Sequence, residues 1–109
     1  MNIGFSPCPN DTFIFDALVN NKLENSELLD VFMADVDELN RKALRADLDI
    51  TKLSFGVLAE ASNLYQVLDA GSALGFGCGP LLISKNPIAS NASEIKRLKI
   101  GIPGETTSK

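Results

Sequence analysis

The stretch Asn2-Ile3-Gly4-Phe5-Ser6-Pro7-Cys8-Pro9-Asn10-Asp11-Thr12-Phe13-Ile14-Phe15-Asp16-Ala17-Leu18-Val19 decides the fold class. Residues 2–6 are short, apolar and bounded by turn formers, which is the pattern of a buried strand. Ser6 to Asp11 is a turn, with Pro7 and Pro9 restricting the backbone on either side of Cys8. From Thr12 to about Val19 the pattern is helical, and Asn10 or Asp11 is expected to cap that helix by accepting a bond from its first turn. Phe13, Ile14, Ala17 and Leu18 are expected to form its inner face. The unit is strand, loop, helix.

Read outward, the unit repeats. Leu28 to Ala34 has strand character, and Asp35 stands three residues before Glu38 in the pattern of a capping box. That opens an amphipathic helix running to about Arg45, with Val36, Leu39, Ala43 and Leu44 on one face. Leu48 to Leu53 reads as a third strand and Phe55 to Leu64 as a third helix, whose small residues Gly56, Ala59 and Ala61 suit close packing. Helices between strands supply the crossovers that parallel pairing needs, so the class is α/β with a mainly parallel sheet flanked by helices. Beyond Leu68 the pattern changes to a glycine-rich loop, Gly71 to Pro80. It is followed by a strand-like Leu81-Leu82-Ile83-Ser84-Lys85, a polar segment, and a further strand at Lys99-Ile100-Gly101-Ile102. The closing Pro103-Gly104-Glu105-Thr106-Thr107-Ser108 has the character of a loop entering a helix. From this we expect these residues to be the N-terminal part of a longer protein.

Composition excludes several functions. The chain has 109 residues, 14 acidic and 10 basic, for a net charge of −4. With no Lys/Arg cluster to displace counterions, nucleic acid is not an expected partner. No apolar run approaches the ~20 residues of a membrane helix, and the N-terminus lacks a basic, then apolar, export signal. A cytoplasmic location is expected, with no membrane partner. The sequence contains no histidine, which removes imidazole chemistry from these residues. Cys8 and Cys78 have no metal-ligand spacing, no disulfide is expected between them, and neither has a neighbouring base to activate it. No metal or cofactor is expected.

In parallel α/β sheets ligands bind beyond the carboxyl ends of the strands, where loops enter helices. Three segments meet that description. In Ser6 to Thr12, the residues Ser6, Asn10 and Asp11 are candidates for lining a cleft, the alternative being a rigid capped turn. In Thr51-Lys52-Leu53-Ser54, a lysine interrupts an apolar strand and a serine precedes a helix; Lys52 either meets an anionic ligand or lies along the surface, and Ser54 either touches the ligand or caps the helix. In Pro103 to Ser108, Thr106, Thr107 and Ser108 offer hydroxyls and N–H groups, again with a plain capped helix start as the alternative. The Gly75-Phe76-Gly77-Cys78-Gly79-Pro80 run lacks the spacing of a dinucleotide loop and reads as a tight turn.

The run Gly4-Phe5-Ser6-Pro7-Cys8-Pro9-Asn10-Asp11-Thr12-Phe13 resembles the opening signature of the 1,4-dihydroxy-6-naphthoate synthases of the futalosine route to menaquinone. Asp35-Val36 with Leu39-Asn40-Arg41, Thr51-Lys52-Leu53-Ser54, Ala73-Leu74-Gly75 with Gly77-Cys78-Gly79-Pro80-Leu81, and Ile102-Pro103-Gly104-Glu105-Thr106-Thr107 follow in order. The resemblance implies a two-domain fold like the type II periplasmic binding proteins, with residues 1–86 as the first lobe and 87–109 as a crossover and the first strand of an incomplete second one. It also implies a carbon–carbon lyase that converts cyclic dehypoxanthinyl futalosine to 1,4-dihydroxy-6-naphthoate in a cleft between the domains. By position it makes Lys52, Leu53 and Ser54 substrate-binding on the first domain, and Thr107 and Ser108 on the second. Ser108 stands where family members commonly have Ala, which leaves a backbone contact in place of a side-chain one. The family's catalytic histidine lies beyond Lys109, so no catalytic residue is expected here and the 109 residues alone are expected to be inactive. Chorismate dehydratases of the same pathway, a non-enzymatic solute-binding domain and a stand-alone interaction module are the alternatives. The S-P-C-P-N-D-T-F signature favours the synthase.

Overall fold

A computed structural model describes residues 1–24, 28–77, 79, 81–88 and 91–105. The strands are β1 (Asn2–Phe5), β2 (Asp30–Met33) and β3 (Ile50–Thr51); the helices are α1 (Pro9–Val19), α2 (Val36–Leu44), α3 (Phe55–Ala61) and the short α4 (Ala92–Ile95). The strands form one parallel sheet in the order β2-β1-β3. Ile3 lies opposite Val31 and Ile50, and Gly4 opposite Phe32 and Thr51. Asn2 and Asp49 lock the start of the β1–β3 pair reciprocally: the Asn2 N–H donates to the Asp49 carboxylate at 2.8 Å and the Asp49 N–H to the Asn2 amide oxygen at 2.6 Å. Past the strand, the Lys52 N–H donates to the Gly4 carbonyl at 2.7 Å and carries the ladder one step further.

β1 is central and covered on both faces, which is why it reads as a continuous apolar run rather than an alternating one. Phe5 packs on Phe15 of α1, with ring centroids 5.0 Å apart. Gly4 points the other way, where a Cβ would meet Leu39 of α2 and Leu48. The two helices therefore sandwich the sheet. α2 starts as its capping pattern requires, with Asp35 accepting from the Glu38 N–H at 2.9 Å, and its Leu39 and Ala43 are fully buried. An Asp37–Arg41 ion pair stands one turn along on the same helix.

The sequence expectation for α1 needs correction. The helix begins at Pro9 with Cys8 at the N-cap, instead of at Thr12 under Asn10 or Asp11. Proline suits the first helical position, where its missing N–H has no partner to lose. The inward stripe runs through Asp11, Phe15 and Leu18, spaced i, i+4, i+7, and Phe13 is 84% exposed. α3 is likewise shorter than expected, ending at Ala61; Val57 and Ala61 pack inward, whereas Gly56 has no atom within 4 Å of a Cβ position and Ala59 is exposed.

After α3 the chain is pinned back to the sheet by the Tyr65 hydroxyl, which donates to the Leu48 carbonyl at 2.6 Å. The expected strands at 81–85 and 99–102 are not formed. Their residues are apolar enough, but a strand exists by laddering to a neighbour, and among the described residues none lies alongside. Leu81 and Ile83 are exposed as a result, as are Leu74 and Phe76 of the preceding loop. The molecule measures 57 × 29 × 23 Å with a radius of gyration of 17.2 Å, longer than the ~13 Å of a compact chain of this length. No described helix is long and apolar enough to cross a membrane.

Candidate functional site

The carboxyl ends of β1 and β3 carry the polar groups of the molecule's interior. Where β1 ends, Ser6 is buried, and where α1 begins, so is Asp11. One Asp11 carboxylate oxygen accepts from the Ser6 N–H at 3.1 Å and from the Ser6 hydroxyl at 2.7 Å. The other accepts from the Lys52 ammonium, which reaches across from the end of β3, at 2.8 Å. Asp11 has thus left the capping role its position suggests and become the anchor of a lysine 41 residues later.

Burial pushes the Asp11 carboxyl up, but the Lys52 bond, the two Ser6 donors and the lysine charge together hold it below its ordinary value. A depressed folded-state value gives stability that is complete above the unfolded carboxyl's 3.8 and is lost as the pH falls through the lower folded value. In urea titrations carried from about pH 5 to about pH 2, the wild-type midpoint is expected to fall more steeply than that of Asp11→Asn, which has no proton to take up at this position. Parallel curves would show that the pair contributes nothing.

Lys52, Leu53 and Ser54 line a cavity of about 400 Å³. Its other walls come from Phe15 of α1, Val36 at the start of α2, Phe55 and Leu58 of α3, and the segment running from Tyr65 to Ala73. Gly71 closes one side over Phe15. Its φ of 84° lies in the left-handed region, and a Cβ would stand 3.7 Å from the phenyl ring. Burial pushes the Tyr65 phenol up, and the charges of Asp47 and Asp49 add to this against its bond to the Leu48 carbonyl, so this wall stays a neutral hydroxyl at physiological pH. The cavity is walled largely by apolar side chains, with Lys52, Ser54, Asp49, Thr51, Gln66 and Ser72 as its polar lining residues. That suits a largely apolar ligand with a polar end.

Ser54 is the N-cap residue of α3, yet its side chain makes no capping bond to that helix. Asn40, fully buried on α2, holds it instead: the Asn40 amide donates to the Ser54 hydroxyl oxygen at 3.1 Å and accepts from the Ser54 N–H at 3.0 Å. Asn40 was not among the sequence candidates. Its position, one residue after the buried Leu39, was the available signal, since an amide there faces inward.

The structure thus brings Lys52, Leu53 and Ser54 together at one cavity and sets Ser6 and Asp11 behind the lysine. Asn10 is exposed in the first turn of α1 and does not line the cavity. Thr106, Thr107 and Ser108 lie outside the described residues, as does Cys78; Cys8 is a free, exposed thiol. Just before that terminal segment, Gly104, with φ at 152°, lies with its backbone against Asp37 in the first turn of α2.

A family model described as menaquinone biosynthesis matches residues 1–109. The chain is 42% identical over 108 residues to a 1,4-dihydroxy-6-naphtoate synthase of Thermus thermophilus, covering 99% of this chain and 38% of that protein. It is 39% identical over 108 residues to a protein of the same name from Streptomyces coelicolor, covering 99% of this chain and 37% of that one. The chain therefore spans less than two fifths of the length of these curated relatives.

Proposed function

The chain belongs to the menaquinone biosynthesis family, and from that premise we propose that it supplies one wall of the substrate cleft of a 1,4-dihydroxy-6-naphthoate synthase. In this reading the whole protein is a carbon–carbon lyase that converts cyclic dehypoxanthinyl futalosine to 1,4-dihydroxy-6-naphthoate. Residues 1–86 are the first lobe of a fold like the type II periplasmic binding proteins, and 87–109 are the passage to the second. The observation that carries the reading is the meeting of Lys52, Leu53 and Ser54 at a single cavity beyond the carboxyl end of β3, in a chain 42% identical to a named synthase.

The substrate's anionic or polyhydroxyl end lies between the Lys52 to Ser54 stretch and the backbone at Thr107 and Ser108. Lys52, held by Asp11, provides a positive charge whose position does not depend on the ligand. Closure of the lobes excludes water and strengthens those polar contacts. In this reading the proton-transferring base is the histidine that the family resemblance implies; these 109 residues contain none.

The test is an assay of the full-length protein with cyclic dehypoxanthinyl futalosine, read as formation of 1,4-dihydroxy-6-naphthoate, beside a parallel assay with chorismate. Turnover of the futalosine derivative is the expected result, with none from residues 1–109 alone; turnover of chorismate instead would overturn the reading. In the same assay Ser54→Trp, which drives a large ring into the cavity mouth, is expected to raise KM by about a hundredfold. An unchanged KM would remove Ser54 from the binding surface.

A further inference from the structure

Among the described residues that line the cavity, Lys52 is the one base and Asp49 the one acid. The charge of the lysine is already compensated. Its ammonium lies 2.8 Å from the Asp11 carboxylate, and the two side chains are 23% and 5% exposed, so little water stands by to screen the pair. Against the cost of burial, the Lys52 bond and the two Ser6 donors hold that carboxyl below its ordinary value, which keeps it ionised at neutral pH. Asp11 itself does not line the cavity. Asp49 forms no ion pair among the described residues, its carboxylate accepting the Asn2 N–H instead. Asp47, whose charge also reaches the Tyr65 wall, is paired with Arg45. The lining and the groups directly behind it therefore carry an excess of negative charge.

We propose that Asp11 is a positioning residue that, by compensating Lys52, sets the specificity of this end of the cavity: it takes a neutral, hydroxyl-bearing group of the sugar kind and turns away a carboxylate. This rests on the reading of Lys52 as a substrate contact. A second anion on the same ammonium would face the Asp11 carboxylate across it and Asp49 on the same lining, and like-charge repulsion offsets what the ammonium offers. A hydroxyl meets no such opposition. It accepts one of the Lys52 N–H bonds that Asp11 leaves over, and donates its own proton to an oxygen of the lining.

The experiment titrates the full-length protein with benzoate and with phenyl β-glucoside, which join the same apolar ring to an anionic and to a neutral polyhydroxyl end. Dissociation constants are read from the nitrogen-15 correlation signals of Lys52, Leu53 and Ser54. Wild-type protein is expected to bind the glucoside at least about tenfold more tightly than benzoate. Asp11→Asn keeps the shape and an acceptor oxygen but removes the compensating charge. It is expected to bind benzoate about tenfold more tightly than wild type does, with the glucoside changed by less than about threefold. An Asp11 that served only the fold would weaken both probes together. Adding Lys52→Met to Asp11→Asn is expected to cancel the benzoate gain, which ties the gain to the ammonium. If Asp11→Asn does not fold, Asp49→Asn removes the other negative charge and is expected to shift the ratio of the two affinities in the same direction. Tighter binding of benzoate by wild type, a glucoside that leaves the three signals in place, a benzoate affinity unmoved by the Asp11 or Asp49 substitution, or a gain that survives Lys52→Met would each overturn the proposal. Turnover is measured separately with cyclic dehypoxanthinyl futalosine. If the glucoside preference and its loss are found while that compound is not turned over, the role of Asp11 stands and the assigned substrate falls. If it is turned over while benzoate is preferred, the function stands and the role of Asp11 falls.

Discussion

Asp11→Ala is expected to destabilise the protein by about 3 kcal/mol, measured as the loss in unfolding free energy by urea denaturation. Three donors converge on this carboxylate: the Ser6 N–H, the Ser6 hydroxyl and the Lys52 ammonium. Removing the acceptor strands all three, and the lysine keeps its charge in a site where its side chain is only 23% exposed. Breaking one side of a fully buried ion pair costs about 3–5 kcal/mol, and the residual exposure of Lys52 puts this case at the lower end. The double variant Asp11→Ala, Lys52→Met should be more stable than Asp11→Ala alone, since it removes the stranded charge. A loss below about 1 kcal/mol would mean that the pair behaves as a surface ion pair.

Gly4→Val should be similarly severe, by a different route. A Cβ at Gly4 would stand 2.6 Å from a Leu48 methyl, 3.0 Å from a Leu39 methyl and 3.3 Å from the Thr51 hydroxyl. None of these is the free end of a flexible chain, because Leu39 is fully buried and Leu48 nearly so. Valine adds two more carbons to that space, and overpacking of this kind costs about 1–3 kcal/mol, a fall in Tm on the order of ten degrees. Gly4 also accepts from the Lys52 N–H, so any shift of β1 moves the lysine, and affinity for substrate should fall with stability. Gly56→Ala is the matched control. Position 56 is open, and removing a glycine from a helix there should be neutral or stabilising by up to about 1 kcal/mol. Equal losses at the two positions would discount the close approach.

What could be read from sequence was local. The β-α alternation, the Asp35 cap and the inner face of α2 all depend on residues within a few positions of each other, and each is found where the spacing put it. Of the expected inner face of α1, Ile14, Ala17 and Leu18 are half-buried and Phe13 is not, and the buried Asp11 was missed because it is a carboxylate. Asp11 looks like a cap or a solvent residue until Ser6 and Lys52 are seen to meet it, and Lys52 is 41 positions away. Asn40 escaped notice for the same reason, its partner Ser54 being 14 residues on and on another helix. The apolar runs at 81–85 and 99–102 satisfied a strand pattern and form none; pairing is a property of two segments, and propensity describes only one. Of the site, Lys52, Leu53 and Ser54 were legible because they sit at a strand end, and the residues that hold them were not.

The middle place of β1 in the sheet has a consequence for how the chain comes into being. Of the three described strands β1 leaves the ribosome first, and the other two attach to it, β2 on one side and β3 on the other. Synthesis and assembly can therefore run in the same order, each strand joining an edge that already exists, with no strand inserted between two that have already paired. The lysine that completes the Asp11 site is the residue immediately after β3, the last of these three strands. The polar centre of the molecule thus closes only when the sheet does, and an unfinished sheet presents no organised site to a ligand.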